Sequence, residues 1–181
     1  MYKLTILIGS LRKGSFNKQL AHGLAELGSD VFKFDFLKLE DVPMFCEDLE
    51  QNLPASVQAM KKSIQEADGV LIVTPEYNRS MPALVKNALD WASRPYGANV
   101  WAGKPVAVAG MSPGAVGTAV CQSQLRSVLG FLGALQMTQP EIYLTYSAEF
   151  FDANGKVANE GTRKFLHKFL QAFSEWIKKN G

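Results

Sequence analysis

The residues best suited to chemistry fall in three short stretches. The first reads Gly9-Ser10-Leu11-Arg12-Lys13-Gly14-Ser15-Phe16-Asn17. Where such a stretch joins a buried strand to a helix, free main-chain N–H groups and the positive end of the helix dipole point into it. Ser10, Ser15 and Asn17 add neutral donors and Arg12 a bidentate one. That is an anion site, suited to a phosphate monoester. The two commoner phosphate loops do not match: the dinucleotide fingerprint needs a third glycine in G-x-G-x-x-G, and Ser15 stands where the Walker loop has its lysine. An ordinary strand-to-helix turn capped by Ser15 is the simpler reading, but it leaves Ser10, Arg12 and Asn17 unexplained.

The second stretch, Thr74-Pro75-Glu76-Tyr77-Asn78-Arg79-Ser80-Met81-Pro82, is stiffened by prolines and carries one aromatic side chain. Such a loop can lie along a flat heterocycle and hydrogen-bond its edge. Pro, Tyr and Asn are also common turn residues, so locally a purely structural loop is equally open. The third stretch, Gly110 to Gly117, contains three glycines and permits close backbone approach by a ligand, with the same alternative open. Histidine offers no catalyst, since His22 and His167 fall on helix surfaces away from these loops. No Ser-His-Asp arrangement, paired carboxylate or metal-ligand spacing occurs among them. Cys46 and Cys121 are expected to be buried as small apolar side chains.

The elements that must position these stretches follow from hydrophobic period. Leu4, Ile6, Leu7 and Ile8 form a compact apolar run closed by Gly9, as in a strand buried on both faces. Phe16, Leu20, Leu24 and Leu27 recur at helical spacing until Gly28. Val31 to Leu37 alternates as a strand, and Pro54 opens a helix carrying Val57, Met60 and Ile64. Val70 to Val73 is a second buried strand, and Pro82 suits the first position of a helix through Leu84, Val85, Ala88, Leu89 and Trp91. Val106 to Ala109 is a fourth strand, a helix follows from about Thr118, and Ile142 and Leu144 mark a fifth strand. A final amphipathic helix holds Phe165 to Ile177. Strand and helix alternation in a chain of 181 residues implies one three-layer α/β domain spanning 1–181. Right-handed crossovers make its sheet doubly wound, with ligands bound beyond the carboxyl ends of the strands.

The Gly9–Asn17 stretch and Pro75-Glu76-Tyr77-Asn78, followed by Pro82, Lys86, Asn87 and the Asp90-Trp91 pair, resemble the NADPH-dependent FMN reductase family. The resemblance runs from the first strand into the last helix. It implies a flavodoxin-like fold with a five-stranded parallel sheet of order 2-1-3-4-5 and about five helices. It also implies FMN with its phosphate near Ser10, Arg12, Ser15, Phe16 and Asn17. The ring would lie by Pro75, Glu76, Tyr77 and Asn78, with Ser112 and Gly114 to Gly117 closing the other side. Members are homodimers or homotetramers that use NADPH or NADH to reduce quinones, flavins, azo dyes or metal oxyanions such as chromate. Three positions depart from the pattern: Arg79 replaces an aromatic or small residue, Ala83 a glycine, and Thr118 the second of a glycine pair. Thr118 is expected to narrow the approach to the flavin. Arg79 is expected at the mouth of the site, where pairing with the 2′-phosphate of NADPH or drawing in an anionic acceptor and simple solvation on an exposed loop are equally open.

Composition narrows the function. The chain is 47% hydrophobic and 20% charged, an ordinary globular balance. Its net charge of +2 suggests no nucleic-acid partner. No segment reaches the roughly 18 apolar residues of a membrane span, so a cytoplasmic protein is expected. The expected activity is ping-pong transfer of a hydride from NAD(P)H to FMN and of two electrons onward, with no protein side chain moving a proton. The alternative is a flavodoxin-like carrier without enzymatic activity, but such carriers are strongly acidic. A receiver-type signalling domain is disfavoured because Gly9 and Ser10 stand where it needs acidic residues. Leu84, Trp91 and Phe131 are the candidates for a surface shared between subunits, with at least one of them expected in the monomer core instead.

Overall fold

The computed structural model describes residues 1–181. Along the chain come β1 (Tyr2–Ile8), α1 (Phe16–Leu27), β2 (Phe32–Phe36), two short 3₁₀ turns, and α2 (Ala55–Glu66). Then follow β3 (Gly69–Val73), α3 (Ala83–Ser93), β4 (Pro105–Ser112), α4 (Ala119–Phe131), β5 (Leu135–Gln136), β6 (Ile142–Thr145) and α5 (Glu160–Asn180). All pairings are parallel, in the order β2-β1-β3-β4-β5, with β6 also paired to β4.

The period of two in the strands divides the interior into two cores. Leu4 and Ile6 of β1 and Leu71 and Val73 of β3 point to the face covered by α1 and α5, against Leu20, Leu24, Phe169 and Phe173. Leu7, Val70 and Ile72 point the other way, against Val57 and Ile64 of α2, Val85 and Leu89 of α3, and Leu125 and Leu129 of α4. This is the flavodoxin-like layering.

Several details differ from expectation. The fifth strand is broken in two: β5 pairs with Pro105 and Val106, whereas β6 pairs with Ala109 through Ser112. Between them lies Pro140, which has no N–H to give a ladder. Pro54 and Pro82 are N-caps rather than first helical residues, because each has an extended ψ near 145° while its carbonyl already accepts from the first turn. Cys121 is buried, but Cys46 is exposed, since the connection after β2 that carries it runs over the surface. Trp91 cannot belong to a subunit surface, because it is fully buried with its Nε1–H donated to the Pro43 carbonyl at 2.8 Å. Leu84 is half-buried, and Phe131 is 90% exposed.

Candidate active site

The carboxyl ends of β1, β3 and β4 carry the three chemistry-bearing stretches to one edge of the sheet. After β1, Ser15 caps α1, its Oγ accepting from the Lys18 amide at 3.2 Å. The capping role and the anion-site role coexist, because the Phe16 and Asn17 amides of the first turn have no intrahelical acceptor. Ser10 is buried, with its Oγ 3.4 Å from the Tyr77 hydroxyl and accepting from the Arg12 amide. The Arg12 guanidinium lies 4.7 Å from the centre of the Phe16 ring, which stacks at 3.6 Å on Tyr146, just beyond β6. Neither Arg12 nor Lys13 takes part in any ion pair of the fold.

Asn17 is not the free side-chain donor that its place in the loop suggests. Its Nδ2 donates to the Met111 carbonyl at 2.8 Å and its Oδ1 accepts from the Met111 amide at 2.9 Å. The buried amide thereby ties the first loop to β4 and offers the loop chiefly its main-chain N–H.

After β3, Tyr77 and Ser80 exchange main-chain hydrogen bonds of 3.0 and 2.9 Å around Asn78 and Arg79. Both central residues have positive φ, 50° and 60°, which makes a tight primed turn that favours Asn first and Gly second. The unfavourable Arg79 is held from α4, where Gln124 Nε2 donates to the Arg79 carbonyl and Gln124 Oε1 accepts from Ser80 Oγ. Glu76 points inward. Its side chain is only 5% exposed, accepting from the Cys121 amide at 3.0 Å and from Arg79 Nη1 at 2.9 Å. It thus caps α4, whose own N-cap Thr118 makes no side-chain cap bond. Burial alone would raise the Glu76 pKa. The Cys121 amide, Arg79 and the Val120 amide outweigh it and hold the carboxyl below its ordinary value.

After β4, the Ser112 carbonyl accepts from the Tyr146 amide and its Oγ from the Gly114 amide. Gly117 has φ +62°, and a Cβ there would sit 3.0 Å from the Tyr143 carbonyl carbon, so the turn requires glycine. Thr118 does not narrow the site. It is fully buried, packed over Gly110 and accepting from Gln122 Nε2 at 2.8 Å.

A cleft of about 390 Å³ results. Ser10, Arg12, Ser15, Phe16, Asn17, Pro75, Glu76, Tyr77 and Ser112 line it together with Met111 and Pro113, whereas Asn78, Arg79, Gly114 and Gly117 stand outside the lining. Tyr146 was missed in the sequence; no local signal marks a tyrosine some 130 residues beyond the ring it stacks on. Cys121 is no nucleophile here, as burial raises its thiol to about 11.

The family model for NADPH-dependent FMN reductases matches residues 2–149. The chain belongs to this family. Among its relatives, a 2-hydroxy-1,4-benzoquinone reductase from a Burkholderia species is 49% identical over 176 residues, covering 97% of this chain and 96% of that protein. A quinone reductase of Pseudomonas putida is 41% identical over 181 residues, covering 99% and 97%. The solved structure of FerB, a flavoenzyme NAD(P)H:(acceptor) oxidoreductase from Paracoccus denitrificans, superposes with a TM-score of 0.97 at 44% identity over all of both chains. A flavodoxin from Pseudomonas aeruginosa, 20% identical with a TM-score of 0.58, shares the fold. In this member of the family, the departure at Thr118 is absorbed by the core, and that at Arg79 by its ion pair with Glu76.

Proposed function

We propose that this protein is an FMN-dependent NAD(P)H oxidoreductase whose acceptor is a quinone, a flavin or a similar electrophilic small molecule. The observation that carries the reading is the joining, in one cleft, of the unpaired cation Arg12 and the α1 N-terminus with the main-chain edge Pro75–Tyr77. The donor set fits FMN: a dianionic phosphate matches the first loop, and a flat ring matches the edge. Ser10, Arg12, Ser15 and the Phe16 and Asn17 amides would hold the phosphate. Pro75, Glu76, Tyr77 and Asn78 would position the ring through their backbone, with Ser112 and the Gly114–Gly117 turn bounding the opposite side. Bound there, FMN supplies the hydride chemistry, taking a hydride from NAD(P)H and returning two electrons to the acceptor.

The protein's own part is orientation. The Asn17–Met111 clamp sets the distance between the first and third loops, and the primed turn at Asn78 and Arg79 fixes the second. No side chain moves a proton. Coenzyme and acceptor would occupy the flavin face of this cleft in turn, so parallel initial-rate lines are expected. Arg79, with 67% of its side chain exposed and one arm on Glu76, would draw in anionic acceptors.

The exposed Phe131 beside half-buried Val128 and Leu132 supports a homodimer or homotetramer. No helix is long and apolar enough to cross a membrane, and the free thiol of exposed Cys46 fits the reducing cytoplasm. The net charge of +2 also lacks the acidic surface that a flavodoxin-like electron carrier would use for docking. Purified protein should be yellow and oxidise NADPH or NADH with an added quinone and no other reductase. Colourless protein that takes up no FMN would overturn the reading.

A further inference from the structure

A second cleft, of about 450 Å³, lies across Ser10 from the first, between the carboxyl ends of β1 and β2. The two share Ser10, so they meet at the anion loop. Its aromatic wall is a pair of rings: the imidazole of His22 stacks on Phe36 with centres 4.8 Å apart and planes 28° from parallel. Burial and the neighbouring Lys18 hold the His22 pKa below its ordinary value, favouring the neutral ring. Lys18 from α1 and Lys38 from the end of β2 line the same space, and neither ammonium takes part in any ion pair. Glu40 is the single carboxylate in the lining.

Stacked rings beside two uncommitted ammonium groups suit a nucleotide, whose base stacks while its phosphates pair. Apart from Ser10, none of the residues assigned to FMN lines this cleft. Arg79, the other candidate for a coenzyme phosphate, is already engaged by buried Glu76. Because β1 lies between β2 and β3, the β2 wall of the second cleft is two strand spacings, about 10 Å, from the strand that ends in the Pro75–Tyr77 edge. We propose that the second cleft holds the adenosine 2′-phosphate end of NADPH, with adenine against His22 and Phe36 and the phosphates between Lys18 and Lys38. The nicotinamide end then runs past the anion loop toward the ring at the Pro75–Tyr77 edge. This assignment rests on the proposed NAD(P)H oxidoreductase activity.

Calorimetry on the holoprotein with adenosine 2′,5′-bisphosphate and with 5′-AMP tests it. The bisphosphate is expected to bind at least tenfold more tightly, and its addition to shift the His22 ring resonances, assigned with His22→Gln. In the Lys18→Gln/Lys38→Gln double variant the preference should fall to within twofold, and the NADPH to NADH ratio of kcat/KM should drop tenfold or more. A wild type without the preference, a double variant that keeps it, or unmoved His22 resonances at saturation would each overturn the assignment. Protein that oxidises both coenzymes with an unchanged ratio in the double variant refutes this cleft alone. Wild-type protein that oxidises neither coenzyme refutes the oxidoreductase reading, and the cleft assignment with it.

Discussion

Arg12 and Arg79 are both arginines on exposed loops, yet their surroundings prescribe different tests. Arg12 has no carboxylate partner and is steadied over Phe16, so its guanidinium is available to the FMN phosphate. A charge-assisted contact contributes about 1.5 to 3 kcal/mol, roughly tenfold to a hundredfold in dissociation constant. Arg12→Ala should weaken FMN by that factor and leave riboflavin within twofold, as read by fluorescence titration. Equal losses for the two ligands would refute the phosphate contact. Arg79 sits on a turn and shares its charge with Glu76, which leaves it a steering role. Arg79→Ala should lower kcat/KM for a sulfonated quinone about fivefold more than for a neutral one and flatten its salt dependence. A parallel loss for both acceptors would assign Arg79 to the turn alone.

At the scale of elements, the site depends on side chains that complete the backbone of another element. Glu76 caps α4, Asn17 pairs with β4, and Gln124 braces the turn after β3. Lys61 does the same at the far end of α3, where its buried ammonium donates to the carbonyls of Arg94 and Ala98. Loss of a helix cap costs about 0.5 to 2 kcal/mol. Glu76→Gln should therefore lower Tm at pH 7 by a few degrees in a chain of this size. The pH dependence has a fixed sign. Because the folded-state pKa of Glu76 lies below its ordinary 4.5, the stability it contributes is complete above that value and is lost as pH falls through the folded one. The Tm difference between wild type and Glu76→Gln should thus shrink in acid below about pH 4.5. A constant difference across that range in scanning calorimetry would show that Glu76 does not act as a charged cap.

For the whole molecule, subunit association is the open quantity that one residue reports on. Phe131 closes α4 with its ring 90% exposed, beside Val128 and Leu132, whose inner sides pack on the core. Covering such a patch stabilises association by about 25 cal/mol per Å² of apolar surface removed from water. Holoprotein should sediment as a dimer or larger at micromolar concentration, and Phe131→Glu should raise the dissociation constant at least tenfold. A monomeric wild type would rule the association out.

By itself the sequence determined the layer architecture, because hydrophobic period depends on each element's own geometry. The continuous apolar run of β1 calls for a helical layer on each side of the sheet, and the 3.6 repeat of α1 and α5 sets the faces that cover one of them. The three loops were legible for the same reason, since glycine, proline and capping serines mark where strands end. The break between β5 and β6 hinged on which half of β4 each piece could pair with, and Pro140 alone does not specify that. Side-chain commitments were also beyond local reading. The Asn17 side chain looks free to meet a ligand until β4 supplies the Met111 backbone, the Glu76 carboxylate looks free until α4 presents its amides, and Tyr146 carries no mark of its stack on Phe16. The second cleft exists only because β2 places Phe36 and Lys38 beside α1. Each of these depends on partners some 14 to 130 positions away in the chain, brought close when the sheet closes between its two helical layers.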